Sequence, residues 1–335
     1  MELFKPRRLR EGDTIRVVAP ASNMDILDKN AVKMGVENLQ KLGFRVEVSP
    51  HACRRHGHAS GTPKERAEDL MDAFTDTNVD GVMAVWGGWN SNDILDLLDY
   101  AEIRRHPKVF IGYSDITVLN VALIEKAGLV NFQGPAFVTW THAHLMEWEV
   151  EDFKKAIMST EAPRALEASP TYIDDTYYFL HPEKPPQEAA NPGWKTYRGG
   201  VAGGSMIGGH LGTLLALAGT KYWPDLRGRV LFVEEDEEGG PSGKIAREFR
   251  QLEQTGAFDE ISALMVGRIP SVAGLKGGDT LEMILDECLD GYDFPVVTGV
   301  DFGHTNPIAT IPVGVRASLD ADKGRLVYLE AGVQG

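Results

Sequence analysis

From Asp13 to Phe132 the chain alternates short apolar runs with stretches of helical periodicity. That alternation restricts its fold more than any other feature. The runs are Asp13 to Ala19, Arg45 to Val48, Gly81 to Trp86, Val109 to Ile111 and Leu129 to Phe132. Each is short enough to be a strand and is bounded by turn residues. Between the first two, apolar residues recur at helical spacing from about Asp25 to Leu42 and stop before Gly43. Thr62-Pro63-Lys64-Glu65 opens another helix: Thr62 caps it, Pro63 suits the first helical position, and Glu65 completes a capping box. Strands alternating with helices predict a parallel sheet covered on both faces, with ligands outside the carboxyl ends of its strands. Gly87-Gly88 and Ser114 both fall at such ends.

Ser114 stands between the strand at Val109 and a helix expected to reach Lys126, with Asp115 opening that helix. The amides that follow such a serine are helix-start donors without partners. Donors of that kind can hold an oxyanion beside a nucleophilic hydroxyl. Capping of the helix by Ser114 or Asp115 is the simpler reading of this stretch alone. The turn Gly87-Gly-Trp-Asn-Ser-Asn92 lets the backbone approach a ligand closely, with Ser91 or Asn92 capping the next helix. No dinucleotide fingerprint or phosphate-binding Gly-Lys-Ser/Thr is present.

Residues 160–197 show little periodicity and are expected to form a linker and a long loop. Its aromatics, Tyr172, Tyr177, Tyr178, Phe179, Trp194 and Tyr197, are candidates to line a cleft or to pack the linker down. A second domain is expected from Arg198, where the glycine-rich run to His210 implies tight turns and close backbone packing. Arg229 to Glu238 is a buried strand that runs abruptly into acid. Further strands are expected at Ala263 to Val266 and Pro295 to Val300, and helices at 211–218, 242–255 and 279–288. Asp301-Phe-Gly-His-Thr-Asn-Pro307 is a loop, and Val313 to Leu319 with Arg325 to Leu329 reads as a terminal hairpin.

Serine, carboxylate and histidine thus occur in the order Ser114, Glu234, His304, each at the end of a buried strand. Histidine is a base near neutral pH, and a carboxylate behind it fixes its tautomer. Glu235 is an adjacent alternative to Glu234. The Gly-x-Ser-x-Gly elbow is not matched, since Ile116 stands where its second glycine would be. His51, Cys53, His56 and His58 cluster before Gly61, but their spacing fits no standard zinc pattern, and a solvated loop without metal is expected.

The net charge of −15 argues against nucleic acid or an anionic membrane surface as partner. No apolar run reaches a membrane span, and the first residues are not expected to be a signal peptide. Two cysteines, Cys53 and Cys288, suit reduced thiols in the cytoplasm.

Gly112-Tyr-Ser-Asp115, Gly87-Gly-Trp-Asn-Ser-Asn92, the Arg198–His210 glycine run, Leu231-Phe-Val-Glu234 and Phe302-Gly-His304 together resemble the LD-carboxypeptidase family of serine peptidases. The resemblance implies an α/β fold with a flavodoxin-like parallel-sheet N-terminal domain, residues 1–160, and a C-terminal mixed α/β domain, 198–335. Residues 161–197 would link the two. The active site would lie between the domains of a homodimer. It also implies a triad of Ser114, Glu234 and His304, oxyanion donors at the amides of Gly88 and Asp115, and no cofactor. One branch of the family releases terminal D-alanine from murein tetrapeptide; the other cuts the amide joining a peptide or amino acid to a nucleotide in microcin C-type antibiotics. Asn90-Ser91-Asn92 is similar to the second branch, which makes Asn90, Ser91 and Trp194 candidate substrate contacts. A non-catalytic small-molecule binding protein using the same cleft is the more distant alternative.

Overall fold

The computed structural model describes residues 2–174, 181–236, 242–273, 275 and 277–335. Its first sheet has strands Arg45–Val48, Thr14–Val18, Gly81–Ala84, Val109–Gly112 and Asn131–Gln133 side by side, all parallel. In chain order this is 2-1-3-4-5, the flavodoxin arrangement. Gly81–Ala84 and Val109–Gly112 are buried at every position, as strands covered on both faces must be. The helix Lys29–Lys41 starts later than expected because Asp28 caps it, its side chain accepting from the amides of Asn30 and Ala31. Pro63–Thr75 has the capping box of Thr62 and Glu65.

Eight strands form the second sheet, in the order Lys195–Arg198, Val296–Val300, Ala263–Gly267, Val230–Glu234, Val201–His210, Arg316–Asp320, Arg325–Tyr328, Arg164–Leu166. Val201–His210 serves two partners. Its first half pairs antiparallel with Arg316–Asp320, and its second half runs parallel to Val230–Glu234. The glycines permit this: a Cβ on Gly208 would lie 1.7 Å from the Phe232 carbonyl oxygen, and one on Gly204 2.1 Å from that of Gly228.

Two expectations are corrected. Residues 160–197 are not all loop, because Arg164–Leu166 and Lys195–Arg198 are edge strands of the second sheet, and Thr171–Tyr172 pairs with Ala189–Ala190. Strands of two to four residues are too short to show a period. Val313 does not open the hairpin; Ile311–Val313 pairs antiparallel with Asn131–Gln133 at the edge of the first sheet. Gly314, at φ +93°, then turns the chain back toward Arg316–Asp320. Tyr177, Tyr178, Phe179 and the acid pair Glu237-Glu238 lie outside the described residues. Among the described residues no helix is long and apolar enough to cross a membrane.

Candidate active site

Ser114, at φ +64°, is the one non-glycine residue with a positive φ among the described residues. Holding an L-residue there costs on the order of 1–3 kcal/mol, so its surroundings must impose it. Gly112 and Gly87 leave the room for it. A Cβ on Gly112 would lie 2.9 Å from Cβ of Ala84 and from Cγ2 of Ile116, and one on Gly87 would lie 2.6 Å from the Ser114 hydroxyl oxygen. The room that Ile116 occupies is thus released by Gly112. This is why a sharp elbow forms without the second glycine of the usual pattern. The following helix begins tightly over Ser114–Ile116, continues as Thr117–Ala122 and ends at Gly128.

The second sheet delivers the other two groups. Glu234 ends the central strand Val230–Glu234 and is 1% exposed. His304 stands in the loop after Val296–Val300, its side chain 11% exposed. Its Nδ1 lies 2.7 Å from Oε2 of Glu234, and its Nε2 3.1 Å from Oγ of Ser114. An ionised carboxylate only accepts, so Nδ1–H donates to Glu234 and Nε2 keeps a lone pair for the Ser114 proton. Glu235, next along, turns to Lys244 at 2.8 Å, and burial together with Glu248 beside it pushes its carboxyl well above the usual range. The Tyr113 ring packs 5.1 Å from the His304 ring.

Asp115 ties the two turns together. Its side chain accepts from the amides of Asn90 (2.9 Å) and Ser91 (2.8 Å), and Ser91 Oγ donates to the Asp115 carbonyl. Burial pushes the Asp115 carboxyl up, against those two amides. Gly88 therefore sits in a turn clamped from one side by Asp115. Ser22 crowds the other side, where a Cβ on Gly88 would meet its Oγ at 2.7 Å. Asn90 and Ser91 are 5% and 0% exposed and build this turn from within. Trp89 between them and Gly88 is 66% exposed. Trp194 donates from its indole nitrogen to Asp301 Oδ2 at 3.1 Å, at the root of the His304 loop. Tyr172 covers Arg268, which pairs with the same Asp301.

The far end of the His304 loop is gripped by the helix Glu147–Ile157. Glu149 accepts from the Ile308 amide at 2.7 Å and Asp152 from that of Thr310 at 2.7 Å. Sequence reading missed this pair. The signal was there, since two acids one turn apart share the buried face with Phe153 and Ile157. Burial raises Glu149 from an ordinary value of 4.5 to about 7. The folded chain thus favours the protonated acid, so its contribution to stability is complete below about pH 4.5 and is lost as pH rises through 7. Glu149→Gln should remove that slope, gaining up to about 3 kcal/mol on the wild type between pH 5 and 8. Urea midpoints at the two pH values check this; parallel losses in both proteins would refute it.

Among the described residues one trio of possible metal ligands converges: His210, Glu235 and Asp236. The Thr213 amide donates to Nδ1 of His210 at 3.1 Å, which leaves the ring proton on Nε2. Nε2 faces Asp236 at 3.5 Å, so the trio presents an N–H to a carboxylate and no imidazole lone pair to a cation. Burial raises the Asp236 carboxyl, but His210 outweighs it and holds the group below its usual range. Of the earlier cluster, His51 is bound by Asp69 at 2.8 Å, while Cys53, His56 and His58 face solvent.

A buried acid, an imidazole and a hydroxyl on a strained turn are the groups that a hydrolase with a serine nucleophile requires. The chain belongs to the LD-carboxypeptidase family: residues 15–134 match the family's N-terminal domain and residues 203–319 its C-terminal domain. It is a carboxypeptidase. It is 32% identical to the "Microcin C7 self-immunity protein MccF" of Escherichia coli, over 96% of this chain and 94% of that one. It is 30% identical to the "Probable murein peptide carboxypeptidase" of Bacillus subtilis (strain 168), over 98% and 95%. A solved structure of MccF in complex with glutamyl sulfamoyl guanosine superposes with a TM-score of 0.92 at 29% identity, covering 98% of this chain and 99% of that one.

Proposed function

We propose that this protein hydrolyses the amide joining a peptide or amino acid to a nucleotide, as in self-immunity to or detoxification of microcin C-type compounds. Ser114, His304 and Glu234 would act as its triad. The reading rests on one observation, the continuous relay from Ser114 Oγ to His304 at 3.1 Å and from His304 to Glu234 at 2.7 Å. Ser114 Oγ attacks the carbonyl carbon as its proton passes to Nε2 of His304. Glu234, buried behind Nδ1, steadies the imidazolium. The amides of Gly88 and Asp115 take the oxyanion, and the turn-to-helix clamp through Asp115 supports that assignment. His304 then protonates the leaving amine, and water enters by the same route in reverse to release the acyl group.

The nucleophile belongs in this reading to a domain of residues 1–160 and the other two groups to one of 198–335, joined by 161–197, which lends the second sheet its two edge strands. Trp194, anchored beside the His304 loop, is the candidate to stack on the substrate's planar end; Asn90 and Ser91 act on substrate through the turn they build. The two free cysteines suit a cytoplasmic setting, and the family likeness a homodimer. Murein tetrapeptide is the second reading, supported by the similarity to the Bacillus subtilis relative. Assayed side by side, an aminoacyl sulfamoyl adenosine should exceed murein tetrapeptide in kcat/KM by at least about tenfold, or about 1.4 kcal/mol of transition-state binding. Preference for the tetrapeptide would overturn the nucleotide reading and leave the triad standing.

A further inference from the structure

Beyond the side-chain relay, a second connection crosses between the two sheets at this site. Thr117 is fully buried, one turn into the helix that follows the nucleophile. Its Oγ1 donates to the Ser114 carbonyl at 2.7 Å. Threonines within helices often make such a bond, and alone it would carry no argument. The same oxygen, however, accepts from the His210 amide at 2.9 Å, on the strand end of the other sheet. His210 is the register partner of Glu234, so the amide that grips Thr117 belongs to the strand beside the acid. Gly209 makes the approach possible: a Cβ there would lie 2.3 Å from Thr117 Oγ1.

We infer that Thr117 is a positioning residue, whose hydroxyl locks the strained Ser114 turn to the sheet that carries Glu234 and so sets the Ser114–His304 distance. A hydroxyl donates one proton and accepts another, so this one atom is saturated by a carbonyl on one side and an amide on the other. Holding the Ser114 carbonyl holds the main-chain torsions that aim Oγ at Nε2. The hydroxyl touches no reacting atom, and its effect therefore falls on the geometry of the chemical step.

This inference rests on Ser114 being the nucleophile, and the experiment separates the two claims. Wild-type protein is first treated with a serine-directed phosphonate. If Ser114 is not labelled, the proposed function itself fails. With labelling established, Thr117→Val keeps the shape and removes both hydrogen bonds. Expected are a fall in kcat and in phosphonate labelling rate of about 10- to 100-fold, with KM within about twofold, as for a small misplacement of reacting groups. Thr117→Ser, which restores the hydroxyl, should return both rates to within about threefold of wild type. Rates are referred to folded protein, measured by circular dichroism. Should Thr117→Val not fold, the smaller Thr117→Ala is read by the same criterion. A folded variant without the hydroxyl that keeps wild-type kcat and labelling rate, whatever its melting temperature, overturns the inference.

Discussion

Replacing Ser114 by alanine is expected to lower kcat on the amide substrate by about 10⁴- to 10⁶-fold, and His304→Ala by a similar factor. Both follow from the 3.1 Å contact between Oγ and Nε2, because the two groups act as one unit. The double variant should therefore be scarcely slower than either single one. What remains, on the order of 10³-fold above water, would come from substrate binding and the amides of Gly88 and Asp115. Rates of product release by the three variants, followed by chromatography, check this. A Ser114→Ala enzyme within tenfold of wild type would remove the covalent mechanism.

Glu234→Gln should cost about 10³- to 10⁴-fold in kcat with little change in KM. The carboxylate is 1% exposed and 2.7 Å from Nδ1 of His304. A glutamine there presents either an oxygen without charge or an N–H. The first leaves the imidazolium unsupported, and the second forces the proton onto Nε2, where it blocks transfer from Ser114. Glu235→Gln is the control, since Glu235 faces Lys244 and Glu248, and its kcat should stay within about tenfold of wild type. Equal losses in the two variants would reassign the acid.

How far the sequence could be read depended on distance along the chain. The capping box at Thr62 and Glu65 involves neighbours three apart, and both its hydrogen bonds are present. The central runs Gly81–Ala84 and Val109–Gly112 were equally legible, because a strand covered on both faces is apolar at nearly every position. The edge strands Arg164–Leu166 and Ile311–Val313 were not. Three residues carry no period, and each strand's place depends on a partner far away in the chain. Glu149 has no place in the sequence reading, although its position on the buried helix face marks it.

By itself, then, the sequence determined the parallel first sheet, its flavodoxin order through the family likeness, and the three residue types that make up the relay. The sheet and the residue types are local matters of periodicity, capping and composition, while the strand order came only with the likeness. Only the folded chain decided that Ser114 takes a left-handed conformation, that Glu234 and not Glu235 faces the imidazole, and that Thr117 meets His210 across the gap. The physical reason is steric. Each of these depends on space that Gly87, Gly267, Gly303 and Gly209 leave empty for a residue remote in sequence, and a missing side chain announces no partner until the sheets are packed.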